Sequence, residues 1–491
     1  MRILSRSSAL ARLQAALVSR ALTAAHPGIA VDCLTRASAG DRDQTSPLWQ
    51  MGDRGAFTAD LSEALLRGEA DIVVHSFKDM PITTLDGTCV AGALPRADPR
   101  DLLLLRRDVA AERPASLSIL SSSPRRAWLL QEALRPLLPW TVAAVTTEAV
   151  RGNIETRLRK LVEGNAHGLV MAKAALDRLL TFGVQFALEA LTVRRYLDQC
   201  HWMVLPMREF PWAPAQGAIG LEIATARADI AESLAPIVCR KTTAAANAER
   251  QVLASYGGGC HQALGAATVE KPYGRVISVR AKAQDGGTVT QWSLETARPA
   301  WPRTERASLW PCHGEALEST RRQVAAVRPG TGAGLWVARA EALPAGWAPT
   351  PDTLVWASGS QTWQRLAANG VWVHGCADGL GDEQPPPVDA LAGGVPTWVR
   401  LTHEDGVCGP DSLATYAVET KLPDDLPSRS HFYWTSGSLF TKAVARWPAL
   451  RQAWHASGPG RTHRAIVGTL GTTERVGVWL DRAAWERDLS L

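Results

Sequence analysis

The sequence GGGCHQALG at residues 257–265 places one cysteine, Cys260, directly after three glycines. Because glycine has no Cβ, the backbone there can turn freely and a bulky group can come close to the sulfur. A free cysteine is more often a small buried hydrophobic residue. Three glycines, however, add chain entropy that is lost on folding and supply no side chain for a core. The stretch therefore predicts a thiol that is presented to a ligand.

The composition is that of a globular protein with several domains. A chain of 491 residues is too long for one core and predicts three or four domains. Hydrophobic residues make up 46% of the chain and charged residues 21%, which is an ordinary balance. We expect a cytoplasmic protein, because there is no signal-peptide pattern and no run of 18 apolar residues. The eight cysteines lack CxxC spacing, which argues against a zinc site or a disulfide scaffold.

Basic residues recur where a predicted strand passes into a predicted helix. Backbone N–H groups and the helix dipole favour anions at such ends, whereas an arginine in the first turn is unfavourable unless an anion lies beside it. Three junctions share this pattern: Arg6 with Ser8, Ser122 and Ser123 with Arg125 and Arg126, and Arg151 with Arg157. Together they predict a cleft for a ligand with several carboxylates or phosphates.

Another candidate site follows the apolar strand predicted at residues 70–74, in the sequence HSFKDMP at 75–81. In open α/β sheets ligands bind beyond the carboxyl ends of strands, which places Lys78 and Asp79 well for chemistry. A solvated turn with a Lys/Asp pair is the alternative. Residues 38–55 are rich in Gly, Asp, Arg, Ser and Thr without a period, which predicts a long loop that could cover the cleft.

In order and spacing, residues 1 to about 300 resemble the porphobilinogen deaminase family, also called hydroxymethylbilane synthases. The matching stretches are RSSALA at 6–11, HSFKDMP at 75–81, DPRD at 98–101, SSPRR at 122–126, RGNIETRL at 151–158, QGA at 216–218 and ER at 249–250. The resemblance implies tetrapyrrole (heme) biosynthesis and a dipyrromethane cofactor held by a thioether at Cys260. Four porphobilinogen molecules would be condensed on this cofactor to hydroxymethylbilane with release of ammonia.

The resemblance also implies roles for the residues of the cleft. Porphobilinogen is activated by protonation of its leaving amino group and stabilisation of a positively charged azafulvene, which needs one carboxylate near the reacting carbon. By resemblance that carboxylate is Asp79. The expected cofactor contacts are Cys260, Lys78, Ser8, Arg125 and Arg126. The expected substrate contacts are Arg6, Arg151, Arg157, Ser122, Ser123 and Gln216.

Several positions depart from the family pattern. Asp53 and Arg54 stand where Gly-Lys is usual in the loop. Ala175 replaces the glycine of an Ala-Gly-Leu motif, and Ala215 replaces the first glycine of Gly-Gln-Gly. We expect these changes to affect the catalytic rate and the geometry of the loops that contain them. The cysteine, the aspartate and the five arginines are retained, so we expect an active enzyme.

Alternating strand and helix patterns predict α/β layers. By resemblance, two domains like those of periplasmic solute-binding proteins are followed by a small α+β domain with the cysteine. The rest of the chain is expected to be a C-terminal α/β unit in two halves. The expected divisions are 1–100 with a return at 212–236 for domain 1, 101–211 for domain 2, 237–300 for the cofactor-attachment domain, 301–329 for a linker and 330–491 for the C-terminal unit.

The C-terminal unit contains an internal echo, VWASGS at 355–360 and YWTSGS at 433–438, each typical of a strand that passes into a serine-capped helix. The unit resembles a shortened uroporphyrinogen III synthase, a lyase that cyclises hydroxymethylbilane. The candidate contacts are Ser358, Thr415, Tyr416, Ser436 and Thr472. A non-catalytic structural or interaction module is the alternative. The many tryptophans of this half suit packing and stacking on a flat ligand equally.

Two other classes of protein remain open from the residues alone. A non-catalytic anion-binding protein of the solute-binding type would have no use for Cys260 on a glycine loop. A Cys-dependent hydrolase would need a remote histidine that the sequence does not identify. We expect a monomeric enzyme whose partner is the small molecule porphobilinogen, without a metal ion, nucleic acid or membrane.

Overall fold

A computed structural model of the chain describes residues 1–37, 58–258, 262–282, 286–296, 301–311 and 318–491. Cys260 and the loop positions Asp53 and Arg54 lie outside these ranges. Among the described helices, none is both long enough and apolar enough to cross a lipid bilayer.

The N-terminal sheet is built on two apolar strands, Arg2–Arg6 and Ile72–Ser76, which run parallel and are largely buried on both faces. A strand from much later in the chain, Ile219–Ala224, lies antiparallel beside Ile72–Ser76. The strand order is Asp32–Arg36, Arg2–Arg6, Ile72–Ser76, Ile219–Ala224 and Thr88–Ala93. Among the described residues of this part, the helices are Ala9–Ala25, Ala59–Leu66 and Ala228–Leu234.

The second sheet repeats this arrangement. Asp101–Arg106 lies antiparallel to Gly168–Ala172, which in turn runs parallel to Ser116–Leu120. The strand order is Ala144–Glu148, Ser116–Leu120, Gly168–Ala172, Asp101–Arg106 and Cys200–Val204. The helices are Arg107–Glu112, Pro124–Ala133, Ile154–Glu163, Lys173–Thr181 and Ala187–Leu197. Each sheet has three parallel strands, then one antiparallel strand that directly follows a crossover, then an edge strand, and the two form a pair of domains of the periplasmic-binding-protein type.

Two crossovers join these sheets. The chain leaves the first sheet through residues 94–100 and returns through residues 205–218. The crossovers lie side by side, because the Ala97 amide donates to the Gly217 carbonyl at 3.2 Å. In a two-domain protein of this kind, such connections are where the domains can turn relative to each other.

A third domain packs a helix, Arg240–Ser255, on an antiparallel sheet of the strands Leu264–Lys271, Gly274–Lys282 and Thr288–Glu295. Glu249 of this helix is fully buried. Its carboxylate accepts from Arg96 at 2.7 Å and 2.9 Å. It also accepts from the Trp212 indole at 2.9 Å and from the Ala215 amide at 2.8 Å. One buried carboxylate thus connects the third domain to both crossovers.

The C-terminal unit contains two sheets, as expected for two α/β halves. The larger has the strand order Ser319–Gln323, Ser412–Thr420, Trp398–His403, Gly334–Val337, Val355–Ala357 and Gly375–Cys376. The smaller has the order Leu309–Trp310, His431–Trp434, Trp454–Ser457 and Val476–Val478. The helices are Ser360–Ala368, Asp389–Ala392, Gly437–Arg446, Arg461–Leu470 and Arg482–Leu489. The expected linker at 301–329 therefore needs correction, because it contributes one strand to each sheet.

The C-terminal unit is also not separate from the rest of the chain. Side chains of both parts belong to one hydrophobic cluster, which includes Leu137 of the second domain and the fully buried Trp363. The Trp363 indole donates to the Leu137 carbonyl at 2.9 Å, and the Trp372 indole donates to the Trp202 carbonyl at 3.2 Å. These tryptophans serve packing between the two parts.

Candidate active site

A cavity of about 1250 Å³ opens between the first two domains. It brings together the predicted site residues that the structure describes in this half: Arg6, Ser8, Lys78, Asp79, Ser122, Ser123, Arg125, Arg126, Arg151, Arg157 and Gln216. Cys260 lies outside the described residues, but Gly257 and Gly258 line the same cavity. The chain therefore approaches the cleft immediately before the cysteine.

Three helices begin at this cleft, each with a side-chain cap. Ser8 Oγ accepts from the Ala11 amide at 3.3 Å. Ser123 and Asn153 cap the helices Pro124–Ala133 and Ile154–Glu163 in the same way. Because a helix N-terminus carries partial positive charge, the three ends together favour anions in the cleft.

Lys78 and Asp79 lie in the short 3₁₀ turn Phe77–Asp79 that follows the strand Ile72–Ser76. The fully buried Phe77 fixes this turn against the core. Lys78 Nζ donates to Gln216 Oε1 at 3.3 Å. Burial lowers the pKa of Lys78 to about 8, with Asp79 opposing the shift and Arg126 adding to it. The Lys78 ammonium therefore loses its proton within a pH range in which the enzyme can be assayed.

Arg125 and Arg126 have a protein countercharge that sequence reasoning did not find. Arg125 donates to Asp101 Oδ2 at 2.8 Å, and Arg126 donates to Asp101 Oδ1 at 2.8 Å. Asp101 is fully buried, and Arg125 and Arg126 hold its pKa well below the usual range against the effect of burial. The anion expected beside these two arginines is thus partly supplied by the chain itself, which corrects the prediction that a ligand provides it.

Arg157 lines the cleft and interacts electrostatically with Asp79. Its Nε donates to the Gly152 carbonyl at 2.7 Å, which directs the guanidinium toward the cleft. Burial lowers the pKa of Arg157, nearby Arg126 lowers it further, and Asp79 opposes the shift. A second anion in the cleft would relieve this crowding of positive charge.

Ser122 has a local structural partner. Its hydroxyl donates to the Val150 carbonyl at 2.5 Å and accepts from the Val150 amide at 2.9 Å. The Ser122 hydroxyl therefore connects the residues before two helices, and its hydrogen is not available to donate to a substrate. The structure thus gives Ser122 a positioning role at the cleft wall.

Eight basic side chains and two carboxylates line the described part of the cavity. The Nε atom of Arg125 is buried and has no hydrogen-bond partner among the described residues. Asp101 offsets part of this charge from behind the cavity wall, and the remaining excess of cations favours binding of a polyanion. Among the described residues, no group of His, Cys, Asp and Glu side chains could hold a metal ion.

The protein-family model described as "Porphobilinogen deaminase, dipyromethane cofactor binding domain" matches residues 1–232. The porphobilinogen deaminase of Sorangium cellulosum is 35% identical over 320 residues, which are 65% of this chain and 93% of that protein. The chain belongs to the porphobilinogen deaminase family. The family member from Chromobacterium violaceum is 34% identical over 265 residues, 54% of this chain and 78% of that protein.

Solved structures agree with this chain only weakly. The probable amino-acid ABC transporter extracellular-binding protein of Bacillus subtilis matches 52% of this chain and 91% of its own, at 10% identity. Its TM-score of 0.26 is too low to support an argument. The matched family domain binds a dipyrromethane, and the residues of the cleft fit this group because its carboxylates would offset the excess of basic side chains.

Two residues that sequence reasoning left without a role hold the deaminase cleft in shape. Arg250 donates to the carbonyls of Met80 at 3.1 Å and Pro81 at 2.5 Å. Its guanidinium lies over the Phe77 ring, 4.9 Å from the centroid. Arg178, which also lines the cavity, donates to the Gly217 carbonyl at 2.6 Å. The motif before Cys260 contained Arg250, but its partners lie 168 to 170 residues away and no local pattern indicates them.

In the C-terminal unit, Thr415 and Tyr416 point into the core. Thr415 Oγ1 donates to the Ala342 carbonyl at 2.7 Å. Tyr416 is 2% exposed and packs beside the His403 ring, with the centroids 5.9 Å apart. Thr472 lies exposed in a turn, where its hydroxyl accepts from the Glu474 amide at 3.2 Å. The expected contact of Thr415 and Tyr416 with a ligand is therefore corrected to a packing role.

The two echoed turns lie at the junction of the two halves. Ser436 caps the helix Gly437–Arg446, as predicted. Ser358 does not cap its helix, because its hydroxyl donates to the Ala338 carbonyl at 2.7 Å. Arg339, which follows Ala338, donates from Nη2 to the Thr435 carbonyl at 3.2 Å. Residues 338–339 thus connect the turn at Ser358 to the turn at Ser436.

Proposed function

We propose that the cleft condenses four porphobilinogen molecules to hydroxymethylbilane on a dipyrromethane held by Cys260, with Asp79 as the acid. The observation that carries the proposal is that eight basic side chains and only two carboxylates, one of them Asp79, line the described part of the cavity. Each porphobilinogen has an acetate and a propionate, so the growing chain is a polyanion. The dipyrromethane supplies the pyrrole carbon to which the first unit is joined.

In this mechanism Asp79 gives a proton to the amino nitrogen of porphobilinogen, which then leaves as ammonia. The resulting Asp79 carboxylate faces the cation that develops on the substrate and stabilises it. The charge of Asp79 acts on Arg157, whose guanidinium pairs with a substrate carboxylate in our proposal. Arg6 and Arg151 provide further carboxylate contacts along the cleft wall.

We expect the KM for porphobilinogen to rise as pH increases through about 8 in the wild-type enzyme. The pKa of Lys78 is lowered to about 8, so its ammonium is protonated below that pH and neutral above it. A neutral Lys78 no longer attracts carboxylates. The Lys78→Arg variant keeps its charge and should show no such rise. Steady-state kinetics from about pH 7 to about pH 9.5 measure this. Identical profiles for the two enzymes would assign the titration to another group.

For the C-terminal unit we propose cyclisation of hydroxymethylbilane to uroporphyrinogen III at the junction of its halves. The specific support is the pair of echoed turns that meet through residues 338–339, with the cation Arg339 between them. Lys442 and Arg461, on the two helices of the smaller sheet, also reach across this junction, to Asp405 and to the Gly406 carbonyl. Such a site suits binding and orienting a reactive polyanion.

The isomer of the cyclised product tests this proposal. Hydroxymethylbilane closes spontaneously to the type I ring, so a working synthase must give mainly type III from porphobilinogen. Arg339→Gln should shift the product toward type I. The matched control is Arg446→Gln, at the far end of the helix Gly437–Arg446 and paired with Asp424. Chromatography of the oxidised porphyrins decides the outcome. Type I from the wild-type chain would make the C-terminal unit a structural or interaction module, the alternative reading of this region.

A further inference from the structure

One short segment of the C-terminal unit, residues 374–380, contacts the parts of the deaminase that join its domains. We name this segment the brace. The His374 carbonyl accepts from the Val204 amide at 2.8 Å, at the end of an edge strand of the second domain. The Cys376 carbonyl accepts from Arg100 Nη1 at 3.1 Å, at the end of the first crossover. The brace therefore reaches the first crossover and the beginning of the second.

Asp378 extends the contact into the second crossover. Its Oδ1 accepts from the Met207 amide at 2.7 Å. The backbone of Asp378 has a φ of 54°, a left-handed conformation that aspartate adopts at a smaller cost than most residues with a side chain. Burial raises the pKa of Asp378 to about 6, with Glu209 adding to the shift and Arg100 opposing it. The left-handed backbone and the burial of the carboxyl group both cost free energy, which the contacts of Asp378 must offset.

Leu380 completes the brace. It packs in one hydrophobic cluster with Met207 and Trp212 of the second crossover and with side chains of the third domain. Its carbonyl accepts from the Tyr273 hydroxyl at 2.9 Å. A single segment of seven residues therefore touches the second domain, both crossovers and the third domain.

The crossovers in turn hold the anion-binding groups of the cleft. Asp101, directly after the first crossover, pairs with Arg125 and Arg126, and the Pro211 carbonyl of the second crossover accepts from Arg125 at 2.8 Å. Gln216 accepts from Lys78 at 3.3 Å. A change in the separation of the crossovers would displace these groups together.

We propose that the brace fixes the two crossovers relative to each other and that Asp378 is a positioning residue for the deaminase cleft. The C-terminal unit thereby sets how far the two cleft domains open around a chain that lengthens with each porphobilinogen. This role concerns the deaminase reaction alone. The role does not depend on whether the C-terminal unit cyclises the product. Its test measures porphobilinogen consumption and not the porphyrin isomer.

The test compares three full-length variants. Asp378→Ala removes the acceptor of the Met207 amide and should lower kcat for porphobilinogen about tenfold, because a small displacement of the cleft groups misaligns the reacting atoms. Asp378→Asn keeps an acceptor oxygen and should stay within about twofold of the wild-type kcat. Asp389→Ala removes an exposed carboxylate of the same unit and should behave as wild type. Hydrogen exchange of residues 205–217 should be faster in Asp378→Ala only.

Equal kcat and equal exchange of Asp378→Ala and wild type would overturn the proposal, and so would equal impairment of Asp378→Asn and Asp378→Ala. Tyr273→Phe provides a second variant if Asp378→Ala does not fold. It removes the bond to the Leu380 carbonyl and keeps the ring, and it should lower kcat several-fold with faster exchange of the same crossover. Wild-type kinetics and exchange in Tyr273→Phe would then contradict the brace.

Discussion

The Asp79→Asn variant is expected to fold normally and to lose about 10²- to 10⁴-fold in kcat, the usual effect of removing a general acid. The asparagine amide has the shape of the carboxyl group but cannot give a proton to the leaving amino group. It also carries no negative charge to stabilise the cation that develops on the substrate. We expect the KM to change much less, because the carboxylates of porphobilinogen are held by the basic residues of the cleft. Ammonia release measured under saturating porphobilinogen gives the kcat.

Asp86→Asn is the matched control, because Asp86 is an exposed carboxylate that follows the same turn and lies seven positions later in the chain. This variant should retain the wild-type rate. Circular dichroism and intact mass confirm that both variants are folded and carry the same adduct. If Asp79→Asn retains nearly the full rate, another group is the acid and the proposed mechanism is wrong.

The Cys260→Ser variant is expected to lose both the covalent cofactor and all deaminase activity. A serine hydroxyl does not form the thioether, and without an anchored pyrrole the first porphobilinogen has no carbon to join. The purified variant should give no colour with Ehrlich's aldehyde reagent, whereas the wild type should give colour. Cys239→Ser is the matched control, because Cys239 is a half-buried free cysteine at the start of the helix Arg240–Ser255. Measurable turnover of the Cys260→Ser variant would contradict the role of Cys260 as the attachment point of the cofactor.

Much of the cleft could be predicted from the sequence because its determinants are local. A cap such as Ser8 or Ser123 lies within three residues of the amide that it accepts from. Strand ends and helix starts have local patterns of apolar and polar residues. The basic residues at these starts therefore indicated which side chains line the cleft.

The countercharges and contacts of the same site could not be predicted, because they depend on tertiary pairing. Asp101 lies 24 positions before Arg125, and no spacing rule relates the two across a sheet. Tyr416 was expected at a ligand, but its ring is buried and its strand packs in the core. The docking of the C-terminal unit depends on pairs such as Trp363 and Leu137, which are 226 positions apart.

The central claim is that this cleft assembles its product on a dipyrromethane attached to Cys260. The intact mass of the purified, active, full-length chain tests this claim most directly. The account predicts a mass that exceeds the sequence mass by one dipyrromethane, with the addition on the proteolytic peptide that contains Cys260. An active enzyme whose mass equals that of the unmodified sequence would contradict the claim.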